Sequence, residues 1–450
     1  MKYLVRSGCV CAKSAAYVFA ATTNNFRQRR QVPPAPRSLR TGSAREFPAH
    51  RRVDNLRATQ PNLTTMLSAT TFSLIATLLI MILTPDITHA ADENYQQVPL
   101  FDDGVMIRVP VNAFGKTLYF LVDTGFTVSA IDTKYKPYLG EGAGTNRVGS
   151  PLEANNVLPV FQCPEISIAG KSLELDKITC LDLKMARLIS GQPCDGILGM
   201  DFFSKNVVSI DFDKRVFYLY NKVPENVRET FVAVPLKQFY QHYTVEVSVN
   251  HTQTLDLMID TGDNSSISLN SEGWQKVFTT NQTNEVSTIV AGVGNQVAQS
   301  KIGVVGQLAI ERLTYTNLHA TYILNPDDPS HLGLGFFRRH NVTFDFANRV
   351  LYLEPGKDFS IPDKEDMSGL HLLREGEMTI VYSVDENSPA FAHGIKPKDF
   401  IESVNGQKAS SLPIKAIRLI LQSRDGDKVT LQVRRGDDLM DFKFALKNAM

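Results

Sequence analysis

The tripeptide Asp-Thr-Gly occurs twice in the chain, at residues 123–125 and at residues 260–262. An apolar run comes directly before each copy, FLV in the first and LMI in the second. Two carboxyl groups held within hydrogen-bonding reach cannot both ionise easily, so the pair shares one proton. One carboxyl is then a base and the other an acid, with a water molecule between them. Asp123 and Asp260 therefore predict hydrolysis of a peptide bond without a metal ion, a Ser nucleophile or a Cys nucleophile.

The residues that follow each Asp have the properties that such a pair needs. Gly125 and Gly262 lack a side chain, which lets two loops approach each other closely. The hydroxyl groups of Thr124 and Thr261 can hydrogen-bond to the facing loop and hold its geometry. The apolar strand before each Asp gives the loop a rigid and dry support. We therefore expect one Asp on each of two symmetric loops.

A second pair of matching segments shows that these loops belong to a longer repeat. DFFSKNVVSIDFDKRVFYLY at residues 201–220 matches GFFRRHNVTFDFANRVLYLE at residues 335–354. Before each Asp-Thr-Gly, the pattern predicts an alternating strand, a turn and a further strand. One domain therefore occurs twice, as a first lobe at residues 97–222 and a second lobe at residues 230–355. Short strands and frequent turn residues predict that both lobes are mainly β.

The repeated unit resembles the retropepsin-like aspartic protease family. That family has an apolar-apolar-Asp-Thr-Gly loop, a Gly-rich flap and an apolar-apolar-Gly segment, and the first lobe has LVDTG, GEGAGTNRVGS and DGILGMDFF. The resemblance implies two tandem retropepsin-like acid-protease β-barrel lobes that form a pseudo-twofold cleft, with Asp123 and Asp260 as the catalytic pair. It also implies a set of residues that support the two loops: Thr124, Gly125, Thr261, Gly262, Ile197, Leu198 and Gly199.

Three positions depart from the pattern of that family. Phe126 and Asp263 follow Asp-Thr-Gly where a small residue is usual, and His331 replaces an apolar residue in the second lobe. A carboxylate at position 263 that points toward the pair would raise its proton affinity, whereas one that points to solvent or to a basic partner would have little effect. The alternative function is therefore a catalytically weakened pseudo-protease that binds peptides or acts as a scaffold of the cell envelope. A further alternative assembles the Asp pair between two chains.

The C-terminal residues, 366–448, have a different pattern. MTIVYSV and KVTLQVRR are strand-like, and LPIKAIRLILQS has helical apolar spacing. VDENSPAFAHGIKPKDFIESVNGQ resembles the PDZ domain of bacterial periplasmic proteases, with Lys398 in place of a usual Gly. This resemblance implies a small α+β domain in which SGLHLL captures a peptide C-terminus while the peptide adds as a strand. A rigid spacer without a ligand is the alternative. The peptide-binding residues would be Gly369, Leu370, His371 and Leu372.

Residues 1–92 are predicted to be a basic leader outside the fold. Residues 1–90 contain 12 Lys and Arg against 3 Asp and Glu, which leaves 35 against 44 in the rest of the chain. The acidic remainder argues against nucleic-acid binding, which needs basic contacts to phosphate. The apolar run at residues 72–83 has the length of a signal-peptide core, and THA after it is typical of a cleavage site. We expect export to the periplasm or cell envelope; a retained N-terminal membrane anchor and an organelle presequence are the alternatives.

No cofactor and no metal ion are predicted. The sequence has no P-loop, dinucleotide-binding or His-Glu-x-x-His motif. Cys163, Cys180 and Cys194 allow one disulfide at most, and small buried side chains are the favoured interpretation. The sequence therefore predicts an exported aspartic endopeptidase whose partners are a polypeptide substrate and peptide C-termini, with no nucleic acid.

Overall fold

The computed structural model describes residues 95–150, 152, 156–278, 286–292 and 297–449. The predicted leader at residues 1–92, with its apolar run at residues 72–83, lies outside the described residues. Within the described part of the chain, no helix is long and apolar enough to cross a membrane. Strands account for most of its regular structure, so the prediction of a mainly β protein is confirmed.

The first repeat contributes three strands to a sheet that both repeats share and has a 10-stranded sheet of its own. Its helical segments are a 3-10 helix at Thr133–Tyr138, α1 at Lys184–Ser190 and α2 at Met200–Phe203. Its strands are β1 Tyr95–Pro99, β2 Phe101–Asp102, β3 Ile107–Ala113, β4 Lys116–Val122, β5 Ala130–Asp132, β6 Gly142–Val148, β7 Asn156–Gln162, β8 Ile166–Ile168, β9 Lys171–Ser172, β10 Lys177–Leu181, β11 Gly196–Leu198, β12 Val207–Asp211 and β13 Val216–Tyr220.

The second repeat follows a short helix and has an eight-stranded sheet of its own. Its helices are α3 Glu225–Thr230, α4 Ser271–Val277 and α5 Leu334–Phe337. Its strands are β14 Val232–Pro235, β15 Lys237–Phe239, β16 His242–Val249, β17 Gln253–Asp260, β18 Ile267–Leu269, β19 Val286–Ala291, β20 Val297–Ile310, β21 Leu313–Tyr322, β22 His331–Gly333, β23 His340–Asp345 and β24 Val350–Pro355.

Both repeats pair their strands in the same way around the Asp-Thr-Gly loops. In the first repeat β4 is parallel to β11, and β11 is antiparallel to β5. In the second repeat β17 is parallel to β22, and β22 is antiparallel to β18. The hairpins that lead into the loops turn through residues with positive φ, Phe114 and Gly115 in the first and Asn250 and His251 in the second. The predicted strand, turn and strand therefore precede each Asp.

A six-stranded antiparallel sheet joins the repeats, in the order β1-β13-β12-β23-β24-β14. At its centre β12 pairs with β23, and the equivalent residues Ser209 and Thr343 lie opposite each other. Their hydroxyl oxygens are 2.5 Å apart. Because equivalent residues lie opposite each other, a twofold rotation would place each strand of this pair on the other. The apolar side chains of this sheet and of both repeats form one continuous hydrophobic cluster.

The C-terminal domain has its own sheet, in the order β25-β26-β27-β29-β30 with β28 beside β27, and its own hydrophobic cluster. Ile414, Ile417 and Leu421 recur at helical spacing and are buried, which explains why this segment is a helix packed on the sheet. The elements are β25 Leu370–Glu375, β26 Met378–Val384, α6 Pro389–Ala392, β27 Phe400–Val404, β28 Gln407–Lys408, a 3-10 helix Ala409–Ser411, α7 Ile414–Leu421, β29 Lys428–Arg435 and β30 Asp438–Ala445.

Candidate functional site

Asp123 and Asp260 lie at the ends of equivalent strands. Asp123 directly follows β4, and Asp260 is the last residue of β17. The backbone N–H of Asp123 donates to the carbonyl of Leu198 at 3.1 Å. The predicted supporting residues Ile197 and Leu198 therefore lie in β11, directly beside the first loop, and Gly199 follows them. The apolar run before each Asp becomes a buried strand that holds the carboxyl group in place.

The two Thr residues connect the loops by a reciprocal set of hydrogen bonds. The N–H of Thr124 donates to the hydroxyl of Thr261 at 3.0 Å, and the N–H of Thr261 donates to the hydroxyl of Thr124 at 3.0 Å. Each hydroxyl then donates across to the opposite strand, Thr124 to the carbonyl of Ile259 and Thr261 to that of Val122. Both Thr side chains are fully buried. These bonds fix the distance and orientation of the two loops.

Each carboxyl group packs against the glycine of the other loop. A Cβ added at Gly125 would overlap the carboxyl group of Asp260, and one added at Gly262 would overlap that of Asp123. No real Cβ tolerates such a contact, so only glycine permits this approach. The structure therefore brings the two predicted Asp residues together within one chain.

Burial and mutual repulsion change the proton affinity of the pair. Burial raises the pKa of Asp123 well above its usual range, and the nearby charge of Asp260 and a hydrogen bond between the two carboxyl groups raise it further. Burial also raises the pKa of Asp260, although His331 acts in the opposite direction. A pair with these properties shares one proton at pH values between its two ionisations.

A buried ionic cluster stands beside Asp260. His331 is 2% exposed, and its Nδ1 lies 3.4 Å from Asp260 Oδ2 and 3.5 Å from Asp263 Oδ2. Its Nε2 lies 3.6 Å from Asp328 Oδ1. Burial alone would lower the pKa of His331, but the three carboxylates outweigh burial and raise it well above its usual value. These carboxylates therefore favour the positively charged form of the buried His331 side chain.

Asp263 has a basic partner, which is one of the alternatives that the sequence left open. Its carboxylate turns inward but pairs with His331 instead of adding uncompensated charge to the Asp pair. Burial would raise the pKa of Asp263, yet His331 lowers it. The sequence signal was present, because Asp263 and His331 are the two departures in the second repeat. Asp328, the third member, had no signal of its own.

The Asp pair lines a cleft of about 790 Å³. Residues 149–150 after β6 and the strand β19 line it from the two repeats. Gly292, directly after β19, lies against Ser150, since a Cβ added there would be 3.0 Å from Ser150 Oγ. Leu370 and Leu372 of β25 and Leu419 of α7 line the same cleft. The cleft therefore extends from the Asp pair to the C-terminal domain without a break.

The loop before β25 contains the predicted carboxylate-binding residues. The backbone N–H groups of Gly369 and Leu370 donate to Asp366 Oδ1 at 2.8 and 3.4 Å. His371 pairs through Nε2 with Asp385 Oδ1 at 2.8 Å. The loop amides thus already have an internal acceptor, which the sequence pattern did not predict.

The remaining predicted residue, Leu372, is buried in the core of the C-terminal domain. Its backbone carbonyl accepts a hydrogen bond from Arg418 of α7 at 2.9 Å. Gly369 therefore lies directly before β25, and Leu370, His371 and Leu372 begin this edge strand beside α7.

Comparison with known proteins identifies this C-terminal domain. Residues 359–446 match the family of the PDZ domain. These residues form a PDZ domain. PDZ domains bind peptides by adding them as a strand to a sheet edge, which is consistent with polypeptide partners.

One relative is described as a probable CtpA-like serine protease of Staphylococcus saprophyticus subsp. saprophyticus, and it is 34% identical over 73 residues. The match covers 16% of this chain, and the chain spans about 15% of the length of that relative.

This comparison contradicts the predicted enzyme class. The sequence predicted an exported aspartic endopeptidase from Asp123 and Asp260, whereas the relative is described as a serine protease. The prediction is therefore wrong on this finding. The physical reason is that Asp-Thr-Gly is also an ordinary turn after a strand. Two buried carboxyl groups in contact define a shared proton, and that geometry alone does not specify a reaction.

Proposed function

We propose that this chain is a polypeptide-binding protein that holds an extended segment in the cleft beside Asp123 and Asp260. The observation that carries the proposal is the continuity of this cleft with the PDZ domain. β25, the strand to which a PDZ ligand adds, lines the cleft together with the Asp pair. A polypeptide bound at β25 can therefore extend along the cleft to the Asp pair.

The Asp pair has a defined part in this proposal. A pair that shares one proton offers a hydrogen-bond donor and an acceptor at the same place. A peptide backbone offers the complementary carbonyl and N–H groups. Inside a buried cleft such hydrogen bonds are stronger than at the surface. Asp123 and Asp260 therefore bind the backbone of the polypeptide rather than a particular side chain.

We further propose that residues 97–222 and 230–355 are two retropepsin-like β-barrel lobes related by a pseudo-twofold axis. The matching strand pairing and the opposed residues Ser209 and Thr343 support this arrangement. A shared fold does not carry an activity with it. The basic leader at residues 1–92, with its apolar run and THA, supports export to the periplasm or cell envelope.

A titration with an unfolded polypeptide tests the binding proposal. Fluorescein-labelled β-casein is added to the full chain, and fluorescence anisotropy measures binding. We expect Asp123→Ala/Asp260→Ala to weaken binding about tenfold or more, the factor for one lost buried hydrogen bond. Asp437→Ala is the matched control, because Asp437 is exposed and lies in the turn before β30. Equal affinity of the double variant and the wild type would overturn the proposal.

The description of the relative favours a second candidate, hydrolysis of polypeptides with a Ser nucleophile. Electrophoresis of the same β-casein after incubation detects it. Cleavage that a fluorophosphonate stops, and that survives in Asp123→Ala/Asp260→Ala, would support this candidate. Cleavage that disappears in the double variant would show that the Asp pair does more than bind, and would overturn the binding proposal.

A further inference from the structure

The start of β25 forms a small anion site. Ser368 and Gly369 each donate a backbone N–H to Asp366 Oδ1 at 2.8 Å, and the hydroxyl of Ser368 donates to the same oxygen at 2.5 Å. Leu370 adds a longer N–H contact of 3.4 Å. Gly369 has a φ of +77°, in the left-handed region that turns successive N–H groups toward one point.

This is the place where a PDZ domain receives the carboxylate of a peptide C-terminus. In this chain the position is filled by the side chain of Asp366, two residues before Ser368 in the same domain. Burial raises the pKa of the Asp366 carboxyl to about 6, which reflects its enclosed position. An internal carboxylate thus makes the contacts that a ligand carboxylate would need.

A second contact covers the strand-pairing edge of the groove. Arg418 of α7 donates through Nη2 to the carbonyl of Leu372 in β25 at 2.9 Å and to the carbonyl of Ile189 in α1 at 2.7 Å. β25 is the last strand at one edge of its sheet, and a ligand strand would have to pair there. The α1 segment of the first repeat therefore stands where the ligand strand would begin.

The residue after α1 packs into the same groove. A Cβ added at Gly191 would lie 2.9 Å from Cγ of Arg374 and 3.2 Å from Cγ2 of Ile414. Arg374 belongs to β25 and Ile414 to α7, which are the two walls of a PDZ peptide groove. The first repeat thus packs between both walls at this end of the groove.

We propose that the PDZ groove is self-occupied, with Asp366 standing in for a peptide C-terminal carboxylate and the α1 segment covering the edge of β25. A tethered group acts at a high effective concentration, so a free peptide competes poorly with it. The apparent affinity for a free peptide is then its intrinsic affinity multiplied by the fraction of molecules in which the groove is open. This inference rests on the proposed polypeptide binding and describes how one of its two sites is regulated.

Release of the internal carboxylate tests the inference. The probe is a fluorescein-labelled decapeptide with an apolar C-terminal residue, made once with a free carboxylate and once amidated. Anisotropy titrations use the full chain as wild type, Asp366→Ala and the control Asp437→Ala. We expect Asp366→Ala to bind the free-carboxylate peptide about tenfold more tightly than the wild type and the control do. The amidated peptide should bind all three proteins equally weakly.

Asp366→Ala could fold poorly, so the test also uses a second variant, Asp366→Asn, and a second measurement, amide hydrogen exchange. Asn retains one acceptor oxygen without the charge, so a smaller gain of the same sign is expected. In the wild type the amides of Gly369 and Leu370 should exchange slowly, and Asp366→Asn should speed their exchange. Equal binding of free and amidated peptides to the Asp366 variants, or wild-type affinity equal to theirs, would overturn self-occupation. Loss of β-casein binding in Asp123→Ala/Asp260→Ala is a separate readout, so the two proposals can fail independently.

Discussion

Equivalent positions beside the two Asp-Thr-Gly loops are filled by opposite chemistry. In the first repeat the side chains belong to one apolar cluster, and in the second they form the ionic cluster around His331. The strand pairing around both is the same. The equivalent pairs are Phe126 and Asp263, Cys194 and Asp328, and Ile197 and His331.

The difference makes a symmetric pair unequal. The loops, the Thr hydrogen bonds and the glycine contacts are nearly identical on the two sides. Within the described residues, Asp260 has the buried His331 side chain beside it at 3.4 Å, and Asp123 has no such neighbour in the equivalent position. A neighbouring cation favours the charged form of a carboxyl group. His331 therefore favours the negative charge on Asp260 over Asp123, while the proton belongs to the pair as a whole.

The largest effect should come from removing the cation alone. His331→Ile introduces the residue of the first repeat but leaves Asp263 and Asp328, whose side chains are only 12% and 15% exposed, without a positive partner. Breaking a buried ion pair in this way costs about 3–5 kcal/mol. Urea unfolding of the full chain at pH 7, followed by tryptophan fluorescence of Trp274, measures the loss.

The matched control transplants the whole apolar cluster. Asp263→Phe/Asp328→Cys/His331→Ile restores a set of side chains that already packs in the same backbone frame. Replacing a buried ionic cluster by apolar residues of similar volume is often neutral or stabilising by about 1–4 kcal/mol. A triple variant less stable than His331→Ile would show that the two repeats are not interchangeable at this place.

The Thr residues should respond alike, because here the repeats are the same. Thr124→Val and Thr261→Val each remove a buried hydroxyl that both donates and accepts, so each should cost about 1–3 kcal/mol in the free energy of unfolding. The double variant should cost less than the sum, since both hydroxyls serve one network. Additive or very unequal costs, measured by the same urea unfolding, would contradict an energetically symmetric contact.

The ionic cluster should also give the wild type a pH dependence that the triple variant lacks. The pKa of His331 is raised in the folded state. Its contribution to stability is therefore fully present below about pH 6.5, the pKa of His in the unfolded chain, and is lost as the pH rises through the folded pKa. The pKa of Asp263 is lowered, so its contribution is present above about 3.9 and is lost as pH falls. A tenfold difference in proton affinity between the folded and unfolded states corresponds to about 1.4 kcal/mol of stability.

The measurement is the difference in unfolding free energy between wild type and triple variant across pH. This difference should favour the wild type most between about pH 4 and pH 6.5 and decline on both sides. The Asp pair is retained in both proteins, but its titration shifts as well, because His331 lowers and Asp263 raises the pKa of Asp260 in the wild type. Parallel profiles would mean that His331 is not charged in the folded state.

The smallest effect is expected where the repeats meet in the shared sheet. Ser209→Ala removes the hydroxyl that contacts Thr343 at 2.5 Å between β12 and β23. One such hydrogen bond contributes about 0.5–1.5 kcal/mol. Thr343→Val should cost a similar amount in the same unfolding experiment. A much larger cost for either variant would show that this single contact provides most of the stability of the pairing between β12 and β23.

Local patterns were enough to predict several parts of the molecule. The alternating runs before each Asp predicted the hairpins that the structure contains, and the spacing of Ile414, Ile417, Leu419 and Leu421 predicted α7, although Leu419 is exposed. The resemblance of the C-terminal residues to a PDZ domain is confirmed. These features depend on periodicity and turn residues that lie within one short segment.

Two features of the sites could not be predicted from the residue pattern of any single segment of the sequence. Asp328 joins His331 and Asp263 only because β17, β22 and the loop before β22 meet in the fold. The α1 segment covers the PDZ groove although more than two hundred residues separate Ile189 from Arg418. The local periodicity of the sequence carries no information about such contacts between distant residues.

The sequence by itself determined that two like-patterned halves and a PDZ domain would form, because burial of alternating apolar residues is a local constraint. It also determined which residues could carry charge. The tertiary structure alone decided which of those charges are compensated, because a buried carboxylate is stable only when a distant partner reaches it. It likewise decided that the backbone N–H groups of Ser368 and Gly369 meet the carboxylate of Asp366, since amide direction depends on the folded backbone.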